Sequence, residues 1–302
     1  MKIPRLATPI LALGLAASAC AGPASSLTTG PPGATTSPPE SRFAQVGSFS
    51  AVKAMEHLEE LAGRIGPRAA VSDGYLRGTR YVEGVLHELG YKTRRDPFEI
   101  PGVGESWNTV ARAPGARGGR LLIGAHLDTV EGAPGGNDNA SGVATVLELA
   151  RIFADTRFVG RITFVAFGAE ERQPTGEHHY GSDSYSAEMS EREAAGFRAM
   201  VSVDMIGKNV PLLVAWMSVG SRATVDGILA AADARSVAAE ELVTPKWSDN
   251  GAFELIGVPS ALMWTGFEPN HHEVTDTADN VDLIALRNAG RVLKTFVLTL
   301  LR

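Results

Sequence analysis

The chain has 302 residues, of which 44% are hydrophobic, and its formal net charge at pH 7 is −6. This length and hydrophobic fraction are sufficient for one large core or two smaller domains. The acidic balance excludes the broad basic surface on which nucleic-acid-binding proteins depend, so we expect no nucleic acid partner.

The first twenty residues predict an export signal. Lys2 and Arg5 precede an apolar run over 6–15, and small residues follow at 16–19. The apolar run is too short to cross a bilayer as a helix. Cys20 stands at the expected cleavage point and resembles the lipidated cysteine of a bacterial lipobox. We therefore expect an exported lipoprotein, held at the membrane only by a lipid on Cys20; plain secretion after ordinary signal cleavage is the alternative.

Residues 21–43 consist mainly of Ala, Gly, Pro, Ser and Thr, a composition that predicts a disordered tether. The folded domain is expected over 44–302. Ser50 and Asp73 can each cap a helix, and Gly66 and Gly90 can end these helices. Strands are predicted over 91–100, 107–113, 121–126, 161–167, 200–205, 211–216 and 259–264, and further helices over 140–154, 222–234 and 281–300. This alternation predicts an α/β sandwich with a mainly parallel central sheet.

Acidic and imidazole side chains follow several of the predicted strands. They are His126 and Asp128, Glu170 and Glu171, Asp204, and His271 and His272, with Asp138 at the start of the helix after the first of these strands. Each has an ordinary explanation, such as a helix N-cap for Asp138 or a solvated turn for the glutamates. Because the carboxyl ends of parallel strands share one edge of the sheet, their joint occurrence favours a zinc site.

The chain resembles the zinc-dependent exopeptidases of clan MH, which include bacterial leucyl aminopeptidases and glutamate carboxypeptidase. The resemblance lies in Gly124-Ala125-His126-Leu127-Asp128, Asn137-Asp138-Asn139-Ala140-Ser141-Gly142, Phe167-Gly168-Ala169-Glu170-Glu171, Gly181-Ser182 with Tyr185, Asp204-Met205-Ile206-Gly207, Ser248-Asp249 with Phe253, and His272 four residues before Asp276-Thr277. It implies a three-layer α/β/α sandwich with a mixed, mainly parallel sheet.

The resemblance also implies a role for each residue of the motifs. His126 and Asp204 would hold one of two zinc ions, Glu171 and His272 the other, and Asp138 would bridge them. Asp128 would orient His126 through its second ring nitrogen. Glu170 would be the general base for a water or hydroxide shared by the two ions. The peptide bond after Asp138 would be cis.

The expected substrate is a peptide with a free N-terminus. The charge of Glu170, additional to that of the ligands, favours a substrate ammonium group and hence an aminopeptidase. Trp247, Phe253, Trp264 and Phe267 are expected to line an apolar side-chain pocket, unless they belong to the ordinary core. The alternatives are a carboxypeptidase, in which Arg172 could bind the terminal carboxylate, a glutaminyl cyclase with one zinc, and a non-catalytic binding module.

Two departures from the family pattern concern histidines. The segment 172–180 is longer than in many relatives, and its His178 and His179 could bind an extra metal, although a surface loop is the favoured interpretation. His271 takes the place of a tyrosine that stabilises the oxyanion in some relatives; it is predicted to do similar work, with a surface role as the alternative. Because neighbouring side chains of an extended segment point to opposite faces, only His272 is expected to reach a metal.

Overall fold

The structure is a computed structural model that describes residues 45–116, 120–208 and 210–302. The expected export signal over 1–20 and the whole of the tether over 21–43 lie outside these residues. The helices are α1 (Ala51–Leu58), α2 (Asp73–Glu88), α3 (Ser141–Phe153), α4 (Tyr180–Ala187), α5 (Glu191–Ala194), α6 (Ala223–Asp233), α7 (Asn250–Leu255) and α8 (Leu283–Leu301). The strands are β1 (Lys92–Ile100), β2 (Gly104–Arg112), β3 (Leu121–His126), β4 (Ile162–Phe167), β5 (Ala199–Val203), β6 (Leu212–Trp216), β7 (Ala239–Val243) and β8 (Ser260–Trp264).

The strands form one sheet in the order β1-β2-β4-β3-β5-β8-β6-β7. The four central strands β4, β3, β5 and β8 are parallel, while β2 pairs antiparallel with β4, and β6 antiparallel with β8. Every residue of β3 and β4 is buried, as expected for parallel strands that are covered on both faces.

Helices cover both faces of the sheet. The larger core lies on the face covered by α1, α2, α3, α6 and α8, and a smaller core forms beneath α4 and α7 on the other face. The predicted three-layer α/β/α sandwich with a mixed, mainly parallel sheet is thus confirmed.

The central strands end at one edge, and this arrangement positions the candidate site. His126 is the last residue of β3, Glu170 and Glu171 follow β4, Asp204 follows β5, and the histidine pair follows β8. Gly142 lets α3 begin directly against β5, because a Cβ at this position would lie 2.1 Å from the carbonyl oxygen of Val203.

The sequence prediction missed α4, α5, α7 and β7. Helix α4 has a polar, glycine-containing sequence with weak amphipathic spacing, and β7 is an edge strand in which no residue is buried. The predicted cap of α2 was wrong by one residue: the side chain of Ser72, not Asp73, accepts a hydrogen bond from the Tyr75 amide at 3.0 Å. Among the described helices, none has the length and hydrophobicity needed to cross a membrane.

Candidate active site

Asp138 lies at the centre of the five side chains that were predicted to bind metal. Its Oδ1 is 3.1 Å from His126 Nε2, and that nitrogen is 3.3 Å from Asp204 Oδ1. Its Oδ2 is 3.3 Å from His272 Nε2, which is 3.0 Å from Glu171 Oε2. The two oxygens of Asp138 therefore face different histidines. The peptide bond between Asp138 and Asn139 is cis.

The donors in this cluster fit a divalent metal. Asp138, Glu170, Glu171 and Asp204 are all buried, so that four carboxylates share one small region of the protein. Oε1 of Glu171 is buried and has no hydrogen-bond partner among the described residues. Unpaired buried carboxylate oxygens are costly unless a cation compensates them, and imidazole and carboxylate are normal zinc ligands.

The pKa values of these carboxylates reflect the crowding. Burial, with added repulsion from Asp138, raises the pKa of Glu171 to about 8. Burial by itself would also raise the pKa of Asp138, but hydrogen bonds from His126, His271 and His272 hold it well below its usual value. Because a metal requires deprotonated carboxylates, its binding should release protons from this cluster.

Glu170 projects into the same region with its two oxygens in different surroundings. Oε2 is 3.9 Å from His126 Nε2, and Oε1 is 3.0 Å from His179 Nε2. Burial and the nearby carboxylates, Asp204 first among them, raise its pKa well above the ordinary value for glutamate. A carboxylate with a raised pKa is suited to accept and return a proton near neutral pH.

The expected role of the Asp128 side chain requires correction. Nδ1 of His126 lies 3.0 Å from the main-chain oxygen of Asp128 but 3.8 Å from its carboxylate. The carboxylate instead accepts hydrogen bonds from the main-chain amides of Glu170 at 3.1 Å and Glu171 at 3.0 Å. Asp128 therefore orients His126 through its carbonyl and fixes the turn after β4 with its carboxylate.

Two further residues hold the ligands and were not predicted. Asp276 accepts hydrogen bonds from the amides of Asn137 at 2.7 Å and Asp138 at 2.9 Å. Ser248 Oγ donates to Asp204 Oδ2 at 2.8 Å. Both residues lie in motifs on which the family resemblance rested, so their place in those motifs was the available signal.

Arg68 is a buried residue that stabilises the loop next to the site, and it was not predicted either. Its side chain is fully buried, and burial lowers its pKa to about 10 although Asp128, Asp276 and Asp138 favour the charged form. The guanidinium donates to the main-chain oxygens of Leu61, Gly66, Leu127, Pro134 and Gly135 at 2.8–3.1 Å. It thereby fixes the loop between His126 and Asp138. An arginine directly after the helix-ending Gly66-Pro67 was the only local signal.

The adjacent histidines do not point to opposite faces. The rings of His271 and His272 are stacked with their centroids 3.6 Å apart, and Nε2 of each lies 3.3 Å from Asp138 Oδ2. The expectation assumed an extended backbone, but His272 has a positive φ of 64°. Both imidazoles therefore contact Asp138, and His272 also lies near Glu171.

A cavity of about 240 Å³ opens beside the cluster. Trp247, Trp264 and Phe267 form its aromatic wall, with ring centroids 4.7–5.6 Å apart, and Met205 and Leu262 extend the apolar lining. Phe253 is not part of this wall.

The predicted role of Phe253 in a substrate pocket is wrong. The side chain is fully buried, and its ring packs against those of Phe167 and Tyr185 in the smaller core. Helix α7 directs the Phe253 side chain toward the sheet. Phe253 is close to a site motif in sequence, but its side chain does not line the cavity.

The segment between β4 and α4 contains one buried histidine. His178 and Arg172 are exposed, and the Arg172 side chain donates to the main-chain oxygen of Gly176 at 3.2 Å. His179, by contrast, is only 7% exposed and lies against Glu170. The surface-loop interpretation is therefore wrong for His179.

Comparison with known proteins decides the family. A family profile described as Peptidase family M28 matches residues 108–297, which is more than half of the chain. The chain belongs to peptidase family M28. Among curated relatives, "Aminopeptidase YwaD" of Bacillus subtilis is 29% identical over 187 residues, which cover 59% of this chain and 40% of that protein. The "Probable lipoprotein aminopeptidase LpqL" of Mycobacterium tuberculosis is 29% identical over 216 residues, covering 59% and 42%. The chain thus matches about two fifths of the length of these M28 relatives.

Solved structures share the fold of this M28 protein. The zinc aminopeptidase BSAP from Bacillus subtilis superimposes with a TM-score of 0.75 at 17% identity, covering 85% of this chain and 96% of that one. A glutaminyl cyclase from Porphyromonas gingivalis superimposes with a TM-score of 0.72 at 21% identity, covering 83% and 98%. At these identities the likeness concerns the fold alone, which hosts both activities.

Proposed function

We propose that this M28 family member is an aminopeptidase that hydrolyses the N-terminal peptide bond of peptides and holds two zinc ions. The observation that carries the proposal is the convergence of His126, Asp138, Glu171, Asp204 and His272, with Glu170 beside them, at the edge of an apolar cavity. The relatives named aminopeptidases support the same reaction class.

We assign the donors to two sets, and the distances between neighbouring side chains support this assignment. His126 and Asp204 would hold one ion, and Glu171 and His272 the other. Asp138 would bridge them, because each of its oxygens lies near a different histidine. When bound, zinc supplies Lewis acidity that polarises the scissile carbonyl and lowers the pKa of water.

Glu170 would act as the general base. Its Oε2 faces the ligand cluster, where it can accept the proton of the attacking water and return it to the leaving amine. The neighbouring Glu171 would serve as a ligand, which leaves the carboxylate of Glu170 free for this work. The charge of Glu170, additional to that of the ligand carboxylates, also favours a substrate ammonium group near the site.

His271 would stabilise the oxyanion. Its ring is 24% exposed at the cavity side of the cluster and stacks on His272, so an N–H group can face a bound substrate. Removing an oxyanion donor typically costs about 10²–10³ in kcat. The alternative, in which His271 is an additional metal ligand, has support from its 3.3 Å distance to Asp138.

The cavity wall favours an apolar side chain at the substrate N-terminus. Trp264 is almost fully buried, whereas Trp247 and Phe267 are 43% and 63% exposed and form the rim of the opening. A leucine or aromatic side chain would bury apolar surface against these rings. A carboxypeptidase would need a cation for the terminal carboxylate; Arg172 is directed to Gly176 instead, and Lys246, which lines the cavity, pairs with Asp183.

Glutaminyl cyclase is the second candidate, because the fold is shared with such an enzyme. The cyclase type uses a single zinc, whereas the five donors of this site support two.

We also propose that residues 1–20 direct export and that Cys20 carries a lipid, with 21–43 as a tether to the domain over 44–302. The relative named as a probable lipoprotein supports this localisation.

A panel of substrates tests the proposed activity. Aminoacyl p-nitroanilides with free and acetylated N-termini, peptides with free C-termini and glutaminyl peptides would be assayed before and after chelation, and again after zinc is restored. We expect hydrolysis of apolar aminoacyl substrates only when the amine is free, loss of activity with the chelator and recovery with zinc. Full activity of metal-free protein, or cyclisation of glutaminyl peptides without hydrolysis, would contradict the proposal.

A further inference from the structure

His179 lies beside the candidate base although it belongs to the segment that connects β4 to α4. Its ring is buried, and Nε2 is 3.0 Å from Glu170 Oε1. The same nitrogen makes no hydrogen bond of normal geometry within the described residues. The contact is therefore a close approach of a buried imidazole nitrogen to one carboxylate oxygen, an arrangement that packing alone does not require.

The main chain fixes the place of this ring. The amide of His179 donates to the carbonyl of Glu170 at 2.9 Å, and the amide of Gly181 donates to that of Gly168 at 3.0 Å. A Cβ at Gly181 would lie 2.3 Å from the Gly168 oxygen, so the two segments are in close contact. His179 also has a φ of 62°, a left-handed conformation that is unfavourable for a residue with a Cβ.

This geometry gives the two oxygens of Glu170 separate partners. Oε1 faces His179, and Oε2 faces the ligand cluster at 3.9 Å from His126 Nε2. A glutamate side chain has several rotatable bonds, and a partner for one oxygen restricts where the other can lie. Catalytic groups that are held in position lose less entropy on reaching the transition state.

We propose that His179 is a positioning residue that holds Oε1 of Glu170 and thereby directs Oε2 toward the attacking water. This inference rests on the proposed function, since His179 acts only through the base. It gives a role to a buried imidazole that lines the cavity but does not belong to the ligand set. No metal is assigned to His179.

Kinetics of matched variants test the inference. His179→Leu removes the polar contact, His179→Gln retains an N–H group of similar reach, and Glu177→Gln alters an exposed side chain of the same segment. We expect His179→Leu to lower kcat about 10–10²-fold with KM within about twofold of wild type. His179→Gln should recover most of this loss, and Glu177→Gln should match wild type. In a Glu170→Gln background, His179→Leu should lower kcat no further, because it acts through the base.

Crystal structures of the zinc-loaded wild type and His179→Leu supply a readout that does not depend on turnover. We expect Glu170 in one rotamer in the wild type and in a different or mixed rotamer in the variant, with equal zinc content and melting temperature. A normal kcat for His179→Leu, equal losses in the Leu and Gln variants, or an unmoved Glu170 would overturn the inference. Wild-type protein without zinc-dependent hydrolysis would overturn the proposed function instead, while the rotamer comparison would still test the contact.

Discussion

Replacing Arg68 should destabilise the whole domain, because its guanidinium satisfies main-chain oxygens from three separate segments. Arg68→Leu would leave the buried carbonyl of Leu127 without a donor among the described residues, whereas those of Leu61 and Gly135 keep hydrogen bonds from the amides of Gly66 and Ala140, and those of Gly66 and Pro134 are only partly buried. A buried acceptor without a partner costs about 1–3 kcal/mol.

The net effect of Arg68→Leu is smaller than a sum over all five lost hydrogen bonds. Burying the guanidinium is itself unfavourable, as its lowered pKa of about 10 indicates. Arg68 forms no ion pair among the described residues, so the loss follows from the carbonyl left without a donor, and we expect about 1–3 kcal/mol. Arg68→Lys keeps the cation but loses the planar fork, so an intermediate loss is expected.

Urea unfolding of the metal-free protein measures these losses. Arg77→Leu is the control, because Arg77 is an exposed arginine of α2 with a single 3.4 Å contact to the Ile65 carbonyl; its effect should stay within about 0.5 kcal/mol. A loss below about 1 kcal/mol for Arg68→Leu would refute the reasoning. If that variant does not fold, an Arg68→Lys variant as stable as wild type would refute it equally.

Further predictions concern the site and the anchor. Glu170→Gln should keep zinc and fold but lower kcat about 10²–10⁴-fold, and a near-normal kcat would remove it from the mechanism. His272→Ala should reduce zinc toward about one ion per chain, whereas His271→Ala should retain both and lower kcat up to about 10²–10³-fold; zinc analysis showing the reverse would exchange their roles. Cys20→Ala should release the protein from membranes, as fractionation would show. A wild-type protein that is already free of membranes would contradict the lipid anchor. Burial raises the pKa of Asp249 to about 8, from 3.8 in the unfolded chain. Between these pH values the folded metal-free protein keeps a proton on Asp249 that the unfolded chain has lost. The free energy of unfolding should therefore fall as the pH rises through this range. Asp249→Asn should reduce this loss of unfolding free energy between pH 5 and 8 by at most about 4 kcal/mol. If urea unfolding of the variant keeps the same pH dependence as wild type, titration of Asp249 is not its cause.

The sequence was sufficient to predict the side chains of the site that directly follow strands. His126, Glu171 and Asp204 stand next to apolar runs whose ends can be read from periodicity, and parallel strands bring those ends together. The expected opposite orientation of the two histidine side chains was wrong because it assumed an extended backbone, whereas His272 has a positive φ. Local backbone conformation in a loop has no periodic signal, so sequence spacing could not reveal it.

Contacts between distant segments were also beyond the sequence. Arg68 binds carbonyls that follow it by about sixty residues, and His179 returns to Glu170 only because the segment between them folds back on β4. Phe253 was misplaced for a related reason: the face that α7 presents to the sheet depends on how this short helix packs, which its six residues do not specify.

The acidic residues of the site divide into two groups according to what their oxygens contact. Asp128 and Asp276 each accept hydrogen bonds from two consecutive main-chain amides, one with each oxygen, and these amides belong to residues 170 and 171 and to residues 137 and 138. Their carboxylates are thus committed to the backbone. The side chains of Asp138 and Glu171, by contrast, face histidines rather than main-chain amides and can bind a cation. The carboxylates of Asp128 and Asp276 therefore hold the main chain that carries the proposed ligands. An acidic residue near such a site is a ligand candidate when its oxygens do not already accept hydrogen bonds from a pair of main-chain amides.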